Sequence, residues 1–242
     1  WNGKRALVLI FLITVLVMNK AYVLLVAIPA LMVYMVMQSN TGKWFELGKG
    51  FWSVDKIMLK CFTLHVLFIL LIAGTVYFPE KLNVPYRIAH KQSEFIKIGK
   101  ETQARSYVED TLLQPTVIDI IKKAPAAIYH TLSRPTFKQS HNTLSLLAAA
   151  ENLFIAMFLF ICMVFSSVSK RTLPLIVFSV GFTIWMFTLV GLTTPIIGTM
   201  VRYKIIALPF LMGGGILLFN DKAFEKKIKK LPWLGSTLKS NS

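Results

Sequence analysis

Residues 193–219, TTPIIGTMVRYKIIALPFLMGGGILLF, read as a membrane-spanning helix that carries two cations, Arg202 and Lys204, well inside its own ends. A spanning helix needs about 20 mainly apolar residues at ~1.5 Å rise each. Stretches of that kind recur at 5–18, 21–38, 57–78, 144–168 and 172–192, with 195–219 the sixth. The first is short, but "NK" and a second apolar run follow it at once, as in a tight helical hairpin. The whole chain is 55% hydrophobic with a mean hydropathy of +0.61, outside the range of an ordinary soluble domain. The expected fold is all-α: a polytopic transmembrane helix bundle of about six spans with an outward amphipathic-helical loop.

The formal net charge of +16 is not a nucleic-acid footprint, because basic residues collect on the cytoplasmic flanks of spans and orient the chain. Lys4 and Arg5 precede the first span, and Lys43, Lys49, Lys56 and Lys60 follow the second. Lys170 and Arg171 lie between the fourth and fifth, and the tail holds six lysines. Six spans with both termini inside put all of these on one side. The resulting division is three spans in 1–79, an outward segment 80–143, three spans in 144–219, and a basic cytoplasmic tail 220–242. The outward segment also carries ten Lys/Arg, but charges in long loops orient a chain little.

The outward segment is too long for a simple connector. In PTVIDIIKKAPAAIYHTLSRP, residues 115–135, Val117, Ile121, Ala124, Ile128 and Leu132 recur at steps of three and four and form one apolar stripe. Pro115 suits a first helical turn, and Pro125 is expected to divide or kink the helix. Such a helix either lies flat in the membrane interface or packs on its neighbours, and the two are compatible. Upstream, KQSEFIKIGKETQARSYVEDTLL (91–113) reads as a solvated helix.

Two cysteines, Cys61 and Cys162, fall in different spans and form no disulfide framework. Cys61 and His65 share a helix face at a metal-binding spacing, but no second pair is near them, so they read as packing residues and no metal or other cofactor is implied. "GGG" at 213–215 lies within a span and marks close helix packing or a local break.

Ionisable residues inside spans are costly and are functional candidates by default. Glu151 lies about seven residues into the fourth span, and Arg202 and Lys204 lie at a similar depth in the sixth. Two readings stay open. Glu151 pairs with one of the cations and ties two spans together, or the cations line an outward cavity that receives an anionic lipid head group. Arg202 and Lys204 are about 200° apart around a helix, so one can face a pocket while the other snorkels. Arg134, Lys138 and His141 add positive charge just outside the entrance of the fourth span.

VRYKIIALPFL (201–211) resembles the RY-x-x-P-x-x-P signature near the C-terminal end of polytopic glycosyltransferases of the GT-C type. PAAIYHTLSRPTF followed by LSLLAAAENL resembles the run before a late span in bacterial surface-polysaccharide membrane proteins of the O-antigen polymerase kind. NKAYVLLVAIPALMVYMV (19–36) is similar to another segment of those transferases. The resemblance covers about a third of the chain. It implies a multi-pass protein of the bacterial inner membrane that uses a polyprenyl-phosphate-linked sugar at the outer face. It also implies that Arg202 contacts the lipid phosphate and that Arg134 and Glu151 belong to the periplasmic face of the site. Isoleucine stands at the signature's first proline, and the acidic catalytic motif of the first outward loop is not in these residues. The chain starts at Trp1 and reads as the C-terminal part of a longer protein. The second function class is a non-catalytic membrane subunit or transporter-like scaffold, with other membrane subunits as partners.

Overall fold

A computed structural model describes residues 3–40, 52–104, 106–107, 111–169, 172–221 and 224–225. The described residues are helical almost throughout, in eight α-helices. These are α1 (Gly3–Asn40), α2 (Trp52–Gly74), α3 (Val84–Glu101), α4 (Val117–Ser133), α5 (Thr143–Val164), α6 (Leu173–Thr193), α7 (Ile197–Lys204) and α8 (Leu208–Leu218). Lys43, Lys49, Lys170, Arg171 and the tail from 226 lie outside the described residues.

Three helical stretches are long and apolar enough to cross a membrane: Lys20–Gln38, Thr143–Val164 and Leu173–Thr193. A fourth is the pair α7 and α8, which together pass the same test but are bent by 54° at residues 205–207. The chain is therefore an integral membrane protein on length and composition, with three to four candidate spans among its described residues. The expected "NK" hairpin takes the form of a break: Lys20 leaves helical geometry (φ −149°, ψ 61°), and helix continues on both sides. Cys61–Tyr77, at the end of α2, is a further apolar helical stretch.

Helix α6 is the central element. Its apolar window is 56% buried against 22% for α5, and α1, α3, α4, α7 and α8 all pack on it. From α1, Val23, Val26 and Ala30 enter this core at helical spacing. They meet Phe182, Met186, Phe187 and Val190 of α6, with Met200, Ala207 and Leu208 from the bent pair. Small residues set the closest approaches, as membrane helix packing favours. A Cβ on Gly191 would come within 2.7 Å of Ala127 Cα, so α4 touches α6 backbone to backbone. A Cβ on Gly215 would lie 2.8 Å from the Phe158 ring, which shows why the glycine run sits where α8 meets α5.

Connections alternate between the two ends of the bundle. Ser167 N donates to Leu218 O and Asn220 N to Phe165 O, joining the C-terminal ends of α5 and α8. At the opposite end, Tyr107 bridges Ile196, and Ile197 N donates to Ser106 O, so the 80–143 segment is tied to the start of α7. This second end is the loop end below.

Within the segment, α3 begins where the Asn83 side chain accepts from Tyr86 N, with Pro85 in the first turn. The 91–113 stretch is more than a solvated helix. Gln92 is 2% exposed, and its side-chain oxygen accepts from Leu113 N, which fastens the chain after α3 back onto the helix. In α4, Thr116 is the N-cap, accepting from Asp119 N, so Pro115 precedes the helix instead of forming its first turn. Pro125 does not divide α4, which runs unbroken from Val117 to Ser133. Of the expected stripe, Ile128 and Leu132 pack against the core, but the face is rotated slightly from it: Ala127 and Thr131 are the buried positions, and Ile121 is 51% exposed.

Candidate functional site

The cations of the 193–219 segment part company. Lys204 is 1% exposed, and Arg202 is exposed. Two helical positions turn a side chain about 200°, and that rotation alone separates them. The break after Lys204 then turns the chain into α8.

Lys204 is held by the end of α4. Its Nζ donates to Arg134 O at 3.3 Å and to Asn152 Oδ1. Asn152, 7% exposed, donates through Nδ2 to Pro135 O at 3.1 Å and Ser133 O at 3.4 Å. Two side chains from α5 and α7 thus satisfy three consecutive carbonyls at the C-terminus of α4, where a helix has orphan acceptors and a negative dipole end. Glu151 is exposed on α5 and close enough for its charge to act on Lys204, but the two make no contact ion pair. Arg134 is half-buried and contributes its backbone here, while His141 and Lys138 are exposed in the segment that leads to α5. Lys204, Arg134 and Asn152 are brought together. Arg202 and His141 join none of these contacts.

Cys61 and His65 are packing groups in the structure. His65 Nδ1 bonds Cys61 O, and its ring stacks on Trp185 at 6.3 Å.

A cleft with polar lining lies elsewhere. A cleft of about 990 Å³ opens at the loop end between α1, α3 and α6. Its apolar wall is Met18, Leu25, Leu189 and Val190, and its floor is Tyr22 and Tyr203, whose rings meet edge to face at 6.1 Å. The opposite wall is one side of α3, where Arg87, Lys91 and Glu94 recur at helical spacing above Phe95. Lys20, Lys81 and Glu80 complete the rim. None of Arg202, Lys204, Arg134, Glu151 and His141 lines it; from the RY pair, the tyrosine does.

The electrostatics of this wall are partly settled within α3. Lys91 Nζ lies 2.8 Å from Glu94, and His90 lies 3.6 Å from it. The Lys91 hydrogen bond, then the charges of Lys91, His90 and Arg87, hold the Glu94 carboxyl below its ordinary value. Lys20, Lys81 and Arg87 have no carboxylate contact among the described residues, and Glu80 is the cleft's other acid. Three free cations against one free carboxylate leave the rim net positive. The first-turn N–H groups of α3 are already used, Val84 by Thr75 Oγ1 and Tyr86 by Asn83 Oδ1, so side chains alone can hold an anion. Tyr22 Oη is buried without a hydrogen-bond partner in the protein among the described residues. The sequence signal for this wall was present, as Arg87, Lys91 and Glu94 at i, i+4 and i+7 beside Glu80–Lys81, but it lies in a segment whose charges read as an ordinary solvated face. The partner wall, from α1 and α6, has no such signal.

Compared with known proteins, the chain matches no family model, no curated protein and no solved structure.

Proposed function

We propose that this integral membrane protein works at the outer face of the bacterial inner membrane, where its cleft receives the phosphate-bearing head of a polyprenyl-linked sugar. The protein then acts as a glycosyltransferase or lipid-linked glycan-assembly enzyme, or as the part of one that holds the lipid-linked substrate. The observation that carries this reading is the two-sided cleft. An apolar wall from α1 and α6 suits a lipid stem, and a net positive wall from α3 suits a phosphate. Arg87 has the planar fork that binds two phosphate oxygens at once, and its hydrogen bond, Nη1 to Lys81 O, leaves most of its donors open. Glu80 and Glu94 are the carboxylates within reach of a sugar held there, with Glu94 kept ionised by its neighbours. The resemblance of 201–211 to the RY signature supports the same reading in modified form, because Tyr203 forms the cleft floor.

The direct test is photo-crosslinking of the reconstituted full chain with a benzophenone-bearing polyprenyl phosphate. Crosslinked peptides from 18–25 and 84–95 support the reading. Labelling confined to the lipid-facing side of α5, with none at the cleft, refutes it and leaves the chain as a membrane scaffold.

A further inference from the structure

The register of α4 on α6 carries an inference independent of the cleft. Ala127 packs at Gly191, and one turn later Thr131 Oγ1 donates to Phe187 O at 3.0 Å. As α4 advances by four residues, its partner on α6 recedes by four, so the two helices run antiparallel. Helix α6 is of spanning length and ends at Thr193. Phe187 is six residues before that end, about 9 Å down the helix axis. The C-terminus of α4 meets Asn152, nine residues after the start of α5 at Thr143, or about 13 Å along that span. Two separate spans therefore place the end of α4 at a similar depth below the loop end.

We infer that α4 and the return segment 134–142 form a re-entrant loop that dips into the outer leaflet, with lipid acyl chains covering its outward apolar side. A helix end in hydrocarbon is tolerated only where protein groups satisfy its backbone. The carbonyls of Ser133, Arg134 and Pro135 have such groups in Asn152 and Lys204. The outward side is apolar: Ile118, Ile121 and Tyr129 are 67%, 51% and 64% exposed along one strip of α4. Lipid is the occupant because α4 also packs on α5, whose Leu144, Leu147 and Phe154 are similarly exposed on a helix long enough to span. Polar groups of α4 gather on another side, where Asp119 and Lys123 pair at 3.1 Å. Lys122, beside the apolar strip, lies near the shallow N-terminal end, where its long side chain reaches water.

Single spin labels on cysteines replacing Ile118, Ile121 and Tyr129 test this in proteoliposomes of the full chain, with Thr102 as an exposed reference. All four positions are exposed, so labelling leaves the packing intact. The expected result is relaxation dominated by oxygen over a water-soluble nickel chelate at 129, with 121 and 118 nearer the membrane–water boundary. Depth should increase in the order 118, 121, 129, while 102 responds to nickel. Equal depth at the three α4 positions would mean a helix lying flat and would overturn the re-entrant loop. Nickel accessibility at 129 equal to that at 102 would overturn the lipid contact as well.

Discussion

The ammonium of Lys204 donates to the main-chain carbonyl of Arg134, 3.3 Å away and 70 residues earlier in the chain. A cation inside an apolar segment thus serves as the cap of another helix. Replacing it with methionine keeps the length of the stem but leaves Arg134 O and Asn152 Oδ1 without their donor. Each unsatisfied buried group costs about 1–3 kcal/mol. Lys204→Met should therefore lower the thermal midpoint of the detergent-solubilised protein by several degrees. Removing a group from the same cluster should not add fully, so Asn152→Leu combined with Lys204→Met should cost less than the sum of the two single changes. Full additivity would show that the two side chains do not act as one cap.

The close contact of α4 with α6 gives a second prediction. Gly191→Ala puts a methyl group against the backbone of Ala127, which cannot swing aside as a side-chain tip can. The cost should be about 1–3 kcal/mol. Gly198→Ala meets nothing within 4 Å and should be neutral or slightly stabilising, since it removes unfolded-chain freedom. Equal thermal midpoints for the two variants would mean that α4 is not seated on α6 as described.

The membrane class was legible because hydrophobic runs of span length need no tertiary information, and 143–164 and 173–193 fall where the sequence places spans. The depth of Glu151, Arg202 and Lys204 in their segments was equally readable. Their partners were not. Lys204 bonds the end of a helix that pattern alone allows either to lie flat or to pack on its neighbours, and the rotation of α4 that buries Ala127 and Thr131 is set by Gly191 on another helix. Periodicity selected Ile121 because it weighs side chains by hydrophobicity, whereas close packing inside a membrane protein selects small residues. The cleft was hidden for a related reason. Its basic wall is local to α3, but it becomes a cleft only where Tyr22 of α1 and Leu189 of α6 stand opposite.

Asp119 supplies a pH-dependent test at the start of α4. Its carboxylate accepts from Gln114 N at 2.8 Å and faces Lys123, and these contacts, the Gln114 bond first, lower its affinity for a proton. A carboxyl whose folded value is lowered stabilises above its ordinary unfolded value and loses that contribution as pH falls through the folded one. Amide exchange in the first turn of α4 should therefore accelerate below about pH 4, near the unfolded value of an aspartate. In Asp119→Asn that acceleration should be absent, and exchange should already be fast at neutral pH. An unchanged pH profile in the variant would remove Asp119 from the account.

The proposed phosphate site has two candidate holders, Arg202 and Arg87. The resemblance of 201–211 to the RY signature implies a phosphate contact at Arg202, which is exposed in the structure but does not line the cleft; Arg87 lines it and carries no carboxylate contact among the described residues. Both side chains are exposed, so Arg87→Gln and Arg202→Gln should each leave the fold intact, as thermal unfolding will check. A charge-assisted hydrogen bond to phosphate is worth roughly 1.5–3 kcal/mol, which corresponds to about a tenfold or greater loss of affinity. That loss is expected in Arg87→Gln, measured as binding of a short-chain polyprenyl phosphate to the protein in detergent. Arg87→Lys should recover only part of it, because an ammonium lacks the two-pronged geometry. Arg202→Gln should bind as the unmodified protein does. The reverse pattern, with affinity lost at Arg202 and kept at Arg87, would move the phosphate out of the cleft and onto the lipid-facing side of α7.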